Sequence, residues 1–305
     1  MASTLLIVSV LLMNLAGCTS QSPAPHQEGS RSLGYAQTSA PSARSNGEPR
    51  RRSVAIDGVT LSILEAGTGD PVIFVHGVVT TSNIFSKYLS AYSPDFRGIA
   101  VDLRGYGDSQ KPATGFTIKQ FSKDLIALAD KLSIEKPVWV GVSMGGMILQ
   151  QLALDYPDRV RALVLVSTTD GAMVLDKDLP TIGNPRDFRE VSKNIIVESF
   201  PLGTPPALYQ PLLERILTWN GTVLREALTS MATANVHGRI SKITAPTLIV
   251  VGAKDDVATP AIAHGIQLQI AGAQLVEFNT GHFMMAEDPE GFRTVLGNYL
   301  RGLSR

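Results

Sequence analysis

One cysteine, Cys18, is all that this chain of 305 residues carries. A single thiol closes no disulfide within the chain, so the fold has no internal covalent staple. Excess charge of either sign is also missing. The 27 Lys and Arg residues balance 27 Asp and Glu, and the basic footprint that accompanies nucleic-acid binding is absent. The five histidines are scattered without metal-ligand spacing, and no Gly-rich phosphate loop opens a helix, so neither metal nor cofactor is expected. Long apolar runs are scarce as well. Leu5–Leu15 is shorter than the roughly 20 residues that span a bilayer. What remains, 44% hydrophobic and 18% charged, has the make-up of an ordinary globular protein long enough for a sizeable core.

The Leu5–Leu15 run suits the apolar region of an export signal, although no Lys or Arg precedes it. It ends in Leu15-Ala16-Gly17-Cys18, which resembles the lipobox of bacterial lipoproteins. That resemblance implies removal of residues 1–17, a lipid on Cys18, and membrane attachment in the bacterial cell envelope. A plain secretory signal, leaving a secreted or periplasmic protein, is the alternative. Residues 18–52 then read as a lipidated cysteine and a tether. They are rich in Ser, Pro, Gly and Gln and nearly free of aliphatics, too polar to offset the entropy of ordering. Arg50-Arg51-Arg52 reads as a solvated charge run at its end, and His26 has no role there.

From Ser53 the pattern changes. "SVAIDG" and "TLSILEAG" form a hairpin signal around Asp57-Gly58. "PVIFVHG", "RGIAVDLRG", "PVWVGVS", "RALVLVST", "PTLIVVGA" and "AQLVEFN" follow as short apolar runs of the kind found in buried parallel strands. Helical patterns alternate with them, such as the Phe121, Leu125, Leu128 and Leu132 stripe. Strands alternating with helices predict a doubly wound α/β sheet in residues 53–305. Residues 169–243 break the rhythm with helical patterns only, and read as a cap over the carboxyl ends of the strands, where open α/β sheets bind ligands.

The chemistry concentrates at "VWVGVSMGG". A strand, then Ser143, then a helix opening at Met144 is the setting in which Gly-x-Ser-x-Gly makes a nucleophile elbow. Gly141 and Gly145 allow the close strand–helix approach that such a turn needs. A serine hydroxyl needs a base to take its proton. His282 follows the last strand in the loop "TGHFMMAEDPEGF", whereas His237 and His264 sit in polar surroundings and read as structural or exposed. The base in turn needs a carboxylate to hold its tautomer. Between residues 143 and 282, after a strand, "LIVVGAKDDVATP" offers Asp255 and Asp256.

Together these residues resemble the α/β-hydrolase superfamily, from about residue 53 to the end. The motifs agree in order: His76-Gly77 with the family's oxyanion loop, Asp102-Leu-Arg-Gly-Tyr-Gly-Asp-Ser109 with its Asp-x-Arg-Gly-x-Gly-x-Ser segment, then the elbow and the Gly-His loop. The resemblance implies about eight strands with a helical cap after the sixth. It also implies an oxyanion hole from the backbone N–H groups of Val78 and Met144, with His76 structural, Asp102, Arg104 and Asp108 stabilising turns, and Asp124 serving its helix. The family's Gly-x-x-Asp-x-x-x-Pro pattern is broken by one inserted residue. Counting from Gly252 selects Asp255; counting back from Pro260 selects Asp256, favoured because Thr259-Pro260 reads as a helix cap and first turn.

Serine at the elbow argues against the family branches that use aspartate there, the epoxide hydrolases and haloalkane dehalogenases. A Ser–His–Asp set implies acyl transfer, with carboxylic esters of small to medium apolar substrates expected. Met173, Phe188, Phe200, Tyr209, Leu212, Leu213 and Trp219 of the cap are candidate apolar lining. Carbon–carbon bond hydrolysis, lactone opening and cofactor-free perhydrolysis would use the same residues. A non-catalytic binding lipoprotein and a purely structural envelope protein are the remaining readings.

Overall fold

A computed structural model describes residues 47–171, 185–214 and 221–303. The Leu5–Leu15 run, Cys18 and nearly all of the expected tether lie outside them, as do Met173 and Trp219. The strands are β1 (Arg50–Ile56), β2 (Val59–Ala66), β3 (Asp70–Val75), β4 (Phe96–Asp102), β5 (Val138–Val142), β6 (Ala162–Val166), β7 (Thr247–Gly252) and β8 (Gln274–Phe278). They form one sheet in the order β1-β2-β4-β3-β5-β6-β7-β8. β1 and β2 are an antiparallel hairpin with Ile56 opposite Val59, and β2 runs antiparallel to β4. Every pairing among β3 to β8 is parallel.

The helices are α1 (Ser86–Tyr92), α2 (Ile118–Lys131), α3 (Met144–Asp155), α4 (Pro185–Glu198), α5 (Gln210–Leu213), α6 (Gly221–Thr233), α7 (Pro260–Gln269), α8 (Met284–Glu287) and α9 (Pro289–Leu303). Every residue of β5 and β6 is buried. Their unbroken apolar run is what a strand needs when helices cover both faces. Alternate side chains feed two cores. Trp139, Leu163 and Leu165 pack with Phe121, Leu125, Ile148 and Leu152 of α2 and α3. Val138, Val140, Val164 and Val166 pack with Leu89 of α1 and Phe292 and Leu296 of α9. This is the predicted α/β architecture, and α4, α5 and α6 fall between β6 and β7. Among the described residues, no helix is long and apolar enough to cross a membrane.

Two expectations about charge change. Arg50–Arg52 are not linker but the first residues of β1, paired with Glu65, Leu64 and Ile63. Composition could not find them, because the first four residues of β1 are all exposed and their partners, on β2 and at the end of β4, lie far along the chain. Arg51 reaches the fully buried Asp102 at 2.7 Å, and also donates to Ser62, Ser82 and Asn83. Asp124, assigned to its own helix, instead forms a buried ion pair with Arg104 after β4. Removing one partner of such a pair strands a charge away from water. Arg104→Ala is therefore expected to lower unfolding free energy by about 3 kcal/mol, read as a drop in the urea midpoint at unchanged slope.

Candidate active site

At the end of β5 the chain reverses into α3 within one residue, and that residue is Ser143. Its φ of 53° and ψ of −119° fall in territory that costs a non-glycine residue about 1–3 kcal/mol. The surroundings hold it there. The Ser143 N–H donates to the Val166 carbonyl at 2.9 Å, while the Ser143 carbonyl accepts from the Thr168 hydroxyl at 2.8 Å and the Gly146 N–H at 2.8 Å. The flanking glycines are required by contact distance. A Cβ on Gly141 would lie 2.6 Å from the Gly145 carbonyl oxygen, and one on Gly145 would lie 2.3 Å from that of Val75.

His282 sits 4% exposed in the loop after β8, with Nδ1 2.9 Å from Oδ2 of Asp255. Asp255, not Asp256, is the partner; Asp256 is exposed. The rigid ruler in this loop is upstream. A Cβ on Gly252 would lie 2.2 Å from the Gly281 carbonyl oxygen, and the Ala253 and Lys254 N–H groups bond to Phe278 and Thr280 at 2.6 and 2.9 Å. The count from Gly252 is thereby fixed, and the extra residue falls downstream, before the Thr259-Pro260 helix start. The other oxygen of Asp255 accepts the Val257 and Ala258 N–H groups at 2.9 and 2.8 Å.

Burial alone would push the Asp255 carboxyl up. The His282 ring and the two backbone donors outweigh it, holding the pKa below the ordinary carboxylate value. An ionised carboxylate only accepts, so Nδ1 of His282 carries the hydrogen and Nε2 is left as the ring's acceptor. Ser143 and His282 line one small cavity, together with Met147, Ser167, Thr168, Thr169, Val257 and Ala258.

The residues expected to stabilise an oxyanion lie beside the elbow. A Cβ on Gly77 would lie 3.2 Å from Cβ of Ser143, which places the loop leading to Val78 against the turn at Ser143. Neither the Val78 nor the Met144 N–H meets an acceptor among the described residues. His76 holds this loop in place: its Nε2 accepts the Leu103 N–H at 3.1 Å and its Nδ1 donates to the Gly77 carbonyl at 2.7 Å. Complete burial lowers its pKa, against the opposing pull of Asp102, so the ring is kept neutral. His237 pairs with Asp170 and His264 with Glu277, both partly exposed, and neither lines the Ser143 cavity. Among the described residues, no three His, Cys, Asp or Glu side chains gather to hold a metal ion.

Three parts of the site had no sequence motif. The His282 N–H donates to the Ser199 carbonyl at 3.0 Å, just beyond α4. Phe200 stacks on Phe283 with ring centroids 5.2 Å apart, so this cap aromatic is packed on the His282 loop. Glu287 accepts the Gly281 N–H at 3.0 and 3.1 Å, and burial raises its pKa. The run of three hydroxyls after β6, Ser167 to Thr169, also lines the cavity and is visible in the sequence.

A family model described as "alpha/beta hydrolase fold" matches residues 70–289. The chain is 24% identical over 247 residues to 3-oxoadipate enol-lactonase 2 of Acinetobacter baylyi, an alignment covering 77% of this chain and 90% of that one. Among solved structures, an esterase from Exiguobacterium antarcticum matches with a TM-score of 0.75 at 25% identity, covering 81% of this chain and 97% of that one. An N-acyl homoserine lactone degrading enzyme matches with a TM-score of 0.73 at 28% identity, over 81% and 100% of the two chains.

Proposed function

The chain belongs to the α/β-hydrolase fold family, and from that membership we propose that it is a serine hydrolase cleaving carboxylic esters through an acyl-enzyme on Ser143. The observation that carries this reading is the 2.9 Å bond between the buried Asp255 carboxylate and Nδ1 of His282, a residue that lines one cavity with Ser143. That bond leaves Nε2 as the base. In the proposed reaction Nε2 takes the Ser143 proton as Oγ adds to the ester carbonyl, and Asp255 stabilises the imidazolium that forms. The carbonyl oxygen, now negative, is received by the N–H groups of Val78 and Met144. Donors fixed before charge develops contribute about a hundredfold or more each. The imidazolium then protonates the departing alcohol, and water releases the acid by the reverse sequence.

Lactones are the second reading, favoured by the lactone-acting relatives in both comparisons. A lactone is an internal ester, so the same residues serve it without change. A fluorophosphonate probe tests the nucleophile: Ser143 is expected to be the labelled residue in the folded full-length protein, located by peptide mass spectrometry. A panel of p-nitrophenyl esters and lactones then separates the readings. Turnover of short to medium acyl esters supports the first, and turnover confined to lactones supports the second. Labelling without turnover of either would sink both in favour of another reaction on the same residues.

A further inference from the structure

The three hydroxyl residues that follow β6 are not equivalent. The Thr168 hydroxyl donates to the Ser143 carbonyl at 2.8 Å, and the Thr169 hydroxyl accepts the Gly171 N–H at 3.2 Å. Ser167 is only 1% exposed, yet its Oγ meets no hydrogen-bonding partner among the described residues. Its backbone is also at φ +44°, in the region that favours glycine. That conformation is imposed from outside, because the Ser167 N–H is tied to the Val250 carbonyl of β7 at 2.8 Å. Glycine would remove both penalties at once, the strained backbone and the buried unpaired hydroxyl. A serine that carries both, in the wall of the cavity shared by Ser143 and His282, calls for a reason beyond folding. The small, partly open space that Ser167 lines with Ser143 and His282 has room for about one water molecule.

We propose that Ser167 is a positioning residue for the water that hydrolyses the acyl-enzyme, an assignment that rests on the serine-hydrolase reading above. His282 Nε2 takes one proton of that water, while the other hydrogen stays on the water oxygen and donates a hydrogen bond to the Ser167 hydroxyl. The water oxygen is thereby aimed at the acyl carbonyl carbon. A bond forms from that oxygen to carbon, the bond from carbon to Ser143 Oγ breaks, and the proton held on His282 passes to Oγ. The products are the free acid and the resting enzyme. Acylation uses the Ser143 hydroxyl instead of water, so Ser167 has no part in it.

The test compares wild type with Ser167→Gly and Ser167→Ala, reading acylation and deacylation separately on one p-nitrophenyl ester. Acylation is read as the rate of the p-nitrophenol burst, deacylation as the decay of acylated protein by quenched mass spectrometry. Deacylation is expected to slow by about tenfold to a hundredfold in both variants, with acylation within about twofold of wild type. Ser167→Gly suits the left-handed backbone and keeps the fold, which a thermal melt verifies. An unchanged deacylation rate overturns the proposal, and so does an equal loss in both steps, which would make Ser167 a substrate contact or a structural residue. If wild type forms no acyl-enzyme at all, the serine-hydrolase reading fails and takes this one with it. A normal acyl-enzyme with normal decay in the variants sinks this proposal alone.

Discussion

Ser143→Ala is expected to lower kcat on a p-nitrophenyl ester by about a million-fold, the scale seen when a nucleophile is deleted from an interdependent set. The effect is large because nothing else at the elbow can form the covalent bond. The free N–H groups of Val78 and Met144 would still polarise a bound carbonyl, so a small residual rate above the uncatalysed one should persist. The companion variant Ser143→Gly separates catalysis from folding. It is expected to be equally inactive but more stable by about 1–2 kcal/mol, because glycine removes the Cβ that makes φ of 53° costly. Ser143→Ala keeps that Cβ and should melt near wild type. Retention of a hundredth of the activity by either variant would place the nucleophile elsewhere.

Asp255→Asn is expected to lower kcat about ten-thousand-fold at neutral pH, whereas Asp256→Asn should stay within about twofold of wild type. An amide at position 255 can offer its N–H to His282, which then presents the wrong tautomer and loses its acceptor at Nε2. Position 256 is exposed and makes no such contact. The same carboxylate couples to stability with a definite sign. Its native pKa lies below the ordinary 3.8, so the unfolded chain takes up the proton first on acidification. The contribution is fully present above the unfolded value and is lost as pH falls through the native one. The wild type's advantage over Asp255→Asn in urea midpoint should therefore narrow below about pH 4. A gap that holds constant into stronger acid would mean that the Asp255 charge does not support the fold.

Much of the framework was legible because local geometry leaves local marks. A turn as tight as the one at Ser143 needs small residues at Gly141 and Gly145, and a strand covered on both faces needs an unbroken apolar run such as Ala162–Val166. What stayed illegible was set by contacts distant in the chain. The choice between Asp255 and Asp256 depends on Gly252 meeting Thr280 and Gly281. The start of the folded body depends on Arg51 finding Asp102, 51 residues away. The bond from the His282 N–H to the Ser199 carbonyl joins the segment between β6 and β7 to the Gly-His loop, and no motif announces that contact.

The Arg51 contact has a practical consequence for anyone trimming this chain. Cutting at residue 53, where the composition changes, would leave the backbone from Ile63 to Glu65 without its partners. A lengthened free strand margin is a template for pairing with another copy, and natural sheets guard such margins with short strands and charge. Here the guard is the "RRR" that opens β1. Removing it would also leave the buried Asp102 without its arginine. A shortened protein should keep residue 47 onward, or it will be prone to join its neighbours through the exposed flank of β2.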